Sequence, residues 1–173
     1  MDAGFPVYLG FFACGFAVRL TYERLKLTGR VDSQRPMVFI TVFAGMCLLW
    51  MGWFSMVPAD PVKVSLPRLL RVMGVGITGV GLVLALGAFV QLRGLENIDH
   101  LVTTGLFSRI RHPMYAGFLC WILGWILAHG AILSLIPALV GVAGILHWQR
   151  LEEAALNRRF GLAYRAYRSK TWF

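Results

Sequence analysis

Long apolar stretches separated by short polar ones run through most of the chain. Met37–Val57 carries no charged residue, Leu69–Val90 carries only Arg71, and Pro6–Leu20 is shorter, with Arg19 placed to reach toward the interface. A membrane-crossing helix needs about 20 mostly apolar residues, fewer where protein shields it. After the polar stretch Gln91–Pro113, Met114–Ala128 and Ala131–Leu146 predict two short helices joined by a tight hairpin at His129-Gly130. Beyond them, Leu156, Phe160, Tyr164 and Tyr167 recur on one helical face of Gln149–Tyr167, with Arg158, Arg159, Arg165 and Arg168 largely off it. That pattern predicts an amphipathic helix lying in the interface, the plainer reading being a surface anchor. The expected architecture is therefore all-α: a polytopic integral membrane protein with five transmembrane helices and a C-terminal amphipathic helix. Residues 1–173 form one domain on this reading, with three spans in 1–90 and two more in 91–173. The N-terminal segment lacks a basic leader and is followed by further spans, so a cleaved signal peptide is not expected.

Composition agrees. The 173 residues are 58% hydrophobic and 14% charged, with a mean hydropathy of +0.67. Soluble domains carry about 25% charged residues, so a soluble globular domain and a disordered chain are both excluded. The net charge of +9 would suggest a nucleic-acid partner in a soluble protein. Here 14 of the 17 basic residues fall in 19–36, 91–113 and 147–173, which five spans place on one side. The positive-inside rule makes that side the cytoplasm and puts the N-terminus outside. A four-span reading without the first helix leaves the C-terminus inside. Most of the charge is thus topological, and no nucleic-acid partner is expected.

Cys14, Cys47 and Cys120 lie in apolar runs without a C-x-x-C pattern, which predicts small core residues rather than disulfides or a zinc site. Gly74-Val75-Gly76-Ile77-Thr78-Gly79 matches the dinucleotide-binding pattern G-x-G-x-x-G, but no strand precedes it inside a span. Close helix packing explains Gly74, Gly76, Gly79, Gly81 and Gly87 better. Such glycines serve contacts within a chain or between chains, so the oligomeric state stays open.

Two polar clusters are not explained by solubility. Arg111-His112-Pro113-Met114-Tyr115 sits at the entry of the fourth span. Pro113 suits the first helical turn, whose free amides would favour an anionic group; lipid phosphate is the bland alternative. Glu152-Glu153 opens the last helix, with Glu153 between Phe160 and Tyr164 on the apolar face. A carboxylate there needs a cationic partner, either Arg111, another arginine, or a ligand. The histidines His100, His112, His129 and His147 show no metal-ligand spacing, so no metal is expected.

The order L-V-T-T-G (101–105), R-H-P-x-Y-x-G (111–117) and E-E-x-x-L-x-x-x-F-G-x-x-Y-x-x-Y (152–167) resembles the isoprenylcysteine carboxyl methyltransferase family, within the broader phospholipid methyltransferases. The resemblance spans roughly Asp99 to the end. It implies a membrane methyltransferase that uses S-adenosyl-L-methionine, releases S-adenosyl-L-homocysteine and needs no metal. It places the cofactor at the cytoplasmic end of the last helices, so that 91–173 would be the cofactor-binding region. His112, Pro113, Tyr115, Glu152 and Glu153 become cofactor-binding candidates. Val102 and Gly105 would approach through the backbone, and His147 is adjacent. Arg111 and Tyr115 are the catalytic candidates, Arg111 to orient the acceptor's acidic group or a cofactor carboxylate. The implied partners are the bilayer and a lipophilic or lipidated substrate, foremost a prenylcysteine-like carboxylate.

A carboxylate is ionised at pH 7 and attacks a sulfonium methyl without a general base, so catalysis is mostly positioning. An amine of a phospholipid or a small thiol is the alternative acceptor; it would give His112, Tyr115 or a glutamate a base role. Sterol reductases share a related R-H-P-N-Y-x-G-E pattern with a nicotinamide cofactor, but Met114 and Phe118 replace the Asn and Glu. A non-enzymatic lipid-binding membrane protein is the remaining class.

Overall fold

The computed structural model describes residues 4–32, 35–92 and 100–173. Among these residues lie five α-helices: α1 (Gly4–Leu27), α2 (Pro36–Met56), α3 (Arg68–Leu92), α4 (Pro113–His129) and α5 (Leu135–Arg168), with a 3-10 turn at Gly105–Ser108. The expected all-helical build is observed. Helices α1, α2 and α3, of 24, 21 and 25 residues, are long and apolar enough to cross a membrane; α4 is apolar but has 17 residues. Prolines open α2 and α4, where the missing amide costs nothing.

Three boundaries differ from expectation. The first helix continues past Leu20 to Leu27, because Arg19 does not reach outward but pairs with Glu23 one turn on, at 2.6 Å, both largely buried. The last helix starts at Leu135 rather than Ala131. Its break falls not near His147 but at Gly161, whose φ of 49° and ψ of −117° leave the helical region. Nothing crowds Gly161, so glycine is needed there for backbone freedom rather than for space.

The helices group into two compact units. One comprises Met1–Ser65 with His129–Pro137. In it α1 and α2 pack through glycines: a Cβ on Gly52 would lie 2.5 Å from the Phe12 amide nitrogen, and one on Gly45 would lie 2.6 Å from Val18 Cγ1. Trp53 fills the space beside Phe12, ring centroids 6.0 Å apart, and is fully buried with Met56 and Val57. The loop after α2 is tied to the turn before α5. Asp60, 4% exposed, accepts hydrogen bonds from the Ser134 amide and hydroxyl, both at 2.6 Å, and from the Val62 amide at 2.8 Å. Val64 N–H donates to Gly130 O and Ile132 N–H to Val62 O. Gly130 has a φ of +64°, and a side chain there would strike Val64 O.

The second unit comprises Leu66–Ala128 and Ala138–Phe173. Here α3 and α4 touch backbone to backbone. A Cβ on Gly81 would lie 2.6 Å from Gly117 O, and one on Gly124 would lie 2.6 Å from both Gly74 O and Thr78 Oγ1. Gly74 and Gly81 stand seven residues apart, as do Gly117 and Gly124, so each pair faces its partner every second turn. Only part of the expected glycine ladder packs helices this way: Gly76 and Gly79 face open space, and Gly87 faces Leu106. The cysteines also depart from expectation. Cys14 and Cys47 are exposed on their helices and Cys120 is half-buried; all three are free.

Gly124→Leu is expected to unfold the α3–α4 contact, at a cost of about 3 kcal/mol or more from overpacking, while Gly76→Leu leaves stability unchanged. Thermal midpoints in detergent check this; equal midpoints for the two variants would remove the glycine contact as the cause.

Candidate functional site

The polar clusters of 109–115 and 152–168 meet within the second unit. Arg111 leads the junction. Its Nε donates to Glu153 Oε1 at 3.0 Å, and its Nη1 donates to Thr171 O at 2.6 Å and Arg168 O at 3.4 Å. Glu153 Oε2 lies 3.8 Å from an Arg168 terminal nitrogen. The Arg111 and Glu153 side chains are 13% and 17% exposed, so the pair is mostly dry. His112, 4% exposed, stands between the carboxylates: Nε2 is 3.4 Å from Glu153 Oε1, and Nδ1 is 3.8 Å from Glu152 Oε2. Both distances are long for hydrogen bonds, and Nε2 makes none.

The chain end completes the arrangement. Arg111 N–H donates to Trp172 O, His112 N–H to Phe173 O, and Trp172 N–H to Arg109 O, all at 3.0 Å, so Trp172 forms an isolated parallel bridge with Ile110. The amides of Arg111 and His112, just before the first turn of α4, are therefore taken by carbonyls. Pro113 is fully buried as the first residue of α4. One turn on, the half-buried Tyr115 ring lies 5.6 Å from the His112 ring.

Beyond the Gly161 break, α5 contributes two tyrosines. Tyr167 donates its hydroxyl to Phe107 O at 2.6 Å, tying α5 to the 3-10 turn. Tyr164 is 1% exposed, and its hydroxyl has no hydrogen-bond partner. Sequence reasoning named neither Tyr164 nor Arg168 as a site residue. The spacing of Tyr164, eleven residues or about three turns after Glu153 on the same face, was the available signal.

The other candidates lie on the 3-10 turn, the segment before it and α5. Gly105 has a φ of +59° and opens the 3-10 turn, with its Cα against the Gln91 side chain, which accepts from the Leu106 amide at 3.1 Å. Val102 is half-buried in the segment before it. His147 is exposed on α5, about a third of a turn away from the direction of Glu153.

Burial and charge set the protonation states. Burial lowers the His112 pKa from 6.5 to about 4; the Glu153 charge opposes this and the Arg111 charge adds to it. His112 is thus neutral at pH 7. Burial alone would raise Glu153, but the Arg111 hydrogen bond and charge, with His112 and Arg168, hold it below the ordinary carboxylate value. Burial, then the Glu153 charge, pushes the Tyr164 hydroxyl up to about 12. The junction therefore offers a fixed anion, a fixed cation, a neutral imidazole and a protonated phenol.

The sequence pattern of the family described as phospholipid methyltransferase matches residues 69–163. That segment contains α3, α4, Arg111, His112 and both glutamates. A curated relative, protein-S-isoprenylcysteine O-methyltransferase of Schizosaccharomyces pombe, is 38% identical over 82 residues, covering 43% of this chain. The chain spans about a third of that relative's length. No solved structure matches the chain significantly.

The protonation states fix a pH dependence. Between about 6.5 and 4, unfolded His112 binds a proton that folded His112 does not, so stability is fully present above 6.5 and drains as pH falls. Glu153 acts in the same direction at lower pH, losing its contribution as pH falls through its depressed folded value. Thermal midpoints in detergent are expected to drop from pH 7 to pH 4, and His112→Phe is expected to flatten the 6.5–4.5 part. A slope in that part unaltered by the substitution would contradict a buried, neutral His112.

Proposed function

The chain belongs to the phospholipid methyltransferase family, and we propose that it moves a methyl group from S-adenosylmethionine to a lipophilic acceptor in the membrane, foremost a prenylcysteine-like carboxylate. The observation that carries this reading is the meeting of Arg111, His112, Glu152, Glu153 and Tyr164. The likeness to the Schizosaccharomyces pombe protein-S-isoprenylcysteine O-methyltransferase supports the carboxylate acceptor.

The residues fit the cofactor. Two buried polar atoms, His112 Nε2 and Tyr164 Oη, lack hydrogen bonds within the protein, and buried polar atoms ordinarily have partners. A polar ligand seated beside them supplies these. When bound, S-adenosylmethionine supplies the electrophilic methyl on a sulfonium sulfur. Glu152 is 45% exposed and is the more open carboxylate, suited to the ligand's ammonium group. Glu153 already serves Arg111 and so holds the frame. Arg111 spends Nε and Nη1 on Glu153 and the chain end, which leaves Nη2 for a carboxylate of acceptor or cofactor. Tyr115 would close the site beside His112, with Pro113 fixing the turn that presents both. Val102 and Gly105 would line it through the backbone. The assignment of His147 rests on the resemblance alone.

The carboxylate acceptor arrives ionised, so no residue has to remove a proton. Anion and sulfonium lose charge together as the new bond forms, which a dry site favours over bulk water. A phospholipid amine, favoured by the family's description, is the second acceptor; it requires proton removal, and His112 is the neutral imidazole at the junction.

In this reading 1–173 is one membrane domain. The helices α4 and the first part of α5 form a short hairpin that brings the crossings to five, and the rest of α5 lies in the interface. The basic residues on 19–36, 91–113 and 147–173 support a cytoplasmic site and C-terminus.

Methyl-labelled cofactor offered with a prenylcysteine analogue, phospholipids and small thiols tests the reading. The label is expected in the prenylcysteine fraction as an ester that releases methanol in base. In sealed vesicles, added cofactor should support transfer only when the cytoplasmic face is outward. Glu152→Gln should raise the cofactor KM about tenfold, the cost of one charge-assisted contact, and Arg111→Ala should lower kcat more than it raises that KM. Base-stable label in phospholipid would establish the amine reading, and no label in any acceptor would overturn both.

A further inference from the structure

The α1–α2 hairpin contains a cavity that the methyl-transfer site does not use. The glycine contacts between the two helices end at Gly45 and Val18. Toward the connecting loop the space between the helices is lined by Ala17, Val18, Tyr22 and Leu25 on α1 and by Val38 and Val42 on α2. They line a groove, open on one side, of about 490 Å³, within the roughly 300–1,000 Å³ of small-molecule sites. The walls are almost wholly apolar, and the hydroxyl of Thr41, which also lines them, is bonded to Met37 O at 2.8 Å. Such a wall selects hydrocarbon.

The mouth of the cavity is basic. The segment from Arg19 to Arg35 holds five basic and two acidic residues. Of the two carboxylates, Glu23 is held by Arg19 at 2.6 Å inside the protein, and Asp32 faces Arg35 at 3.8 Å on the open surface. Arg24, in the last turn of α1, and Arg30, just after it, are exposed. The Lys26 ammonium lies 5.8 Å from the ring of Tyr22, which itself lines the cavity. A hydrocarbon slot within a hairpin of two long apolar helices thus ends at a rim of net positive charge. Basic pockets between membrane helices recognise anionic lipid headgroups in this way, each cation contributing about 1 kcal/mol.

We propose that the hairpin binds one anionic phospholipid, with an acyl chain in the cavity and the phosphate against Arg24, Lys26 and Arg30. A zwitterionic lipid carries its own cation to this rim and is disfavoured. None of these residues belongs to the proposed methyl-transfer site, and the proposal does not depend on that activity.

Native mass spectrometry of the full chain in detergent, titrated with palmitoyl-oleoyl phosphatidylglycerol or the phosphatidylcholine of identical chains, tests this. Phosphatidylglycerol is expected to bind at least tenfold more tightly, with one lipid retained. Arg24→Gln and Arg30→Gln should each weaken it about fivefold, the factor equivalent to ~1 kcal/mol, and leave phosphatidylcholine unaffected. Both positions are exposed, so these variants fold. Ala17→Trp, filling the cavity, should abolish retention with the thermal midpoint kept as a check on folding. Equal affinity for the two lipids overturns the proposal. So does undiminished phosphatidylglycerol retention by folded Ala17→Trp, which would mark surface attraction only. Displacement of phosphatidylglycerol by an equimolar uncharged farnesyl thioether would assign the cavity to an isoprenoid and overturn it equally.

Discussion

The ion pair between Arg111 and Glu153 is the contact on which the candidate site depends. One guanidinium joins three stretches of chain: its own loop before α4, the carboxylate on α5, and the carbonyls of Thr171 and Arg168 at the chain end. A largely buried ion pair is weak evidence for net stability, since desolvation offsets much of the attraction. Its contribution here is register. With Arg111 in place, His112 is held between two carboxylates, Tyr115 follows one turn on, and Trp172 and Phe173 pair with the loop backbone. Removing either partner would leave a dry charge without its counterion.

That pair needs a fixed α4, and α4 is fixed by small residues. The backbone contact of Gly74, Thr78 and Gly81 with Gly117 and Gly124 lets α3 and α4 approach until their main chains touch. In a bilayer, where lipid tails are as apolar as leucine, such close packing replaces the hydrophobic drive as the source of helix association. The first turn of α4 then carries Pro113 and Tyr115 at set positions, and Tyr167 ties the far part of α5 to Phe107 O. Positioning of this kind is what methyl transfer to an already ionised acceptor requires.

Helix existence and type could be read from hydropathy, because α2 and α3 are continuous apolar runs that begin at Pro36 and just after Pro67. The residues of the polar junction were also legible: Arg111, His112, Glu152 and Glu153 stand where solubility does not call for them. What escaped the reading were pairwise outcomes that only packing decides. Arg19 looked able to reach solvent, yet Glu23 one turn on gave it a partner inside. No pattern in 109–112 announced that its backbone would pair with Trp172 and Phe173, sixty residues distant. The break in α5 sits at Gly161, within a motif whose backbone role no periodicity reveals. Tyr164 read as one more apolar-face residue until burial left its hydroxyl without a partner.

The central claim is that the junction around Arg111 and Glu153 holds the methyl donor. Calorimetric titration of S-adenosylhomocysteine into the detergent-solubilised chain tests it most directly. One saturable site is expected at pH 7, lost or strongly weakened in His112→Ala and Glu153→Gln proteins that remain folded. Absence of binding, or binding that both substitutions leave unaltered, would contradict the account.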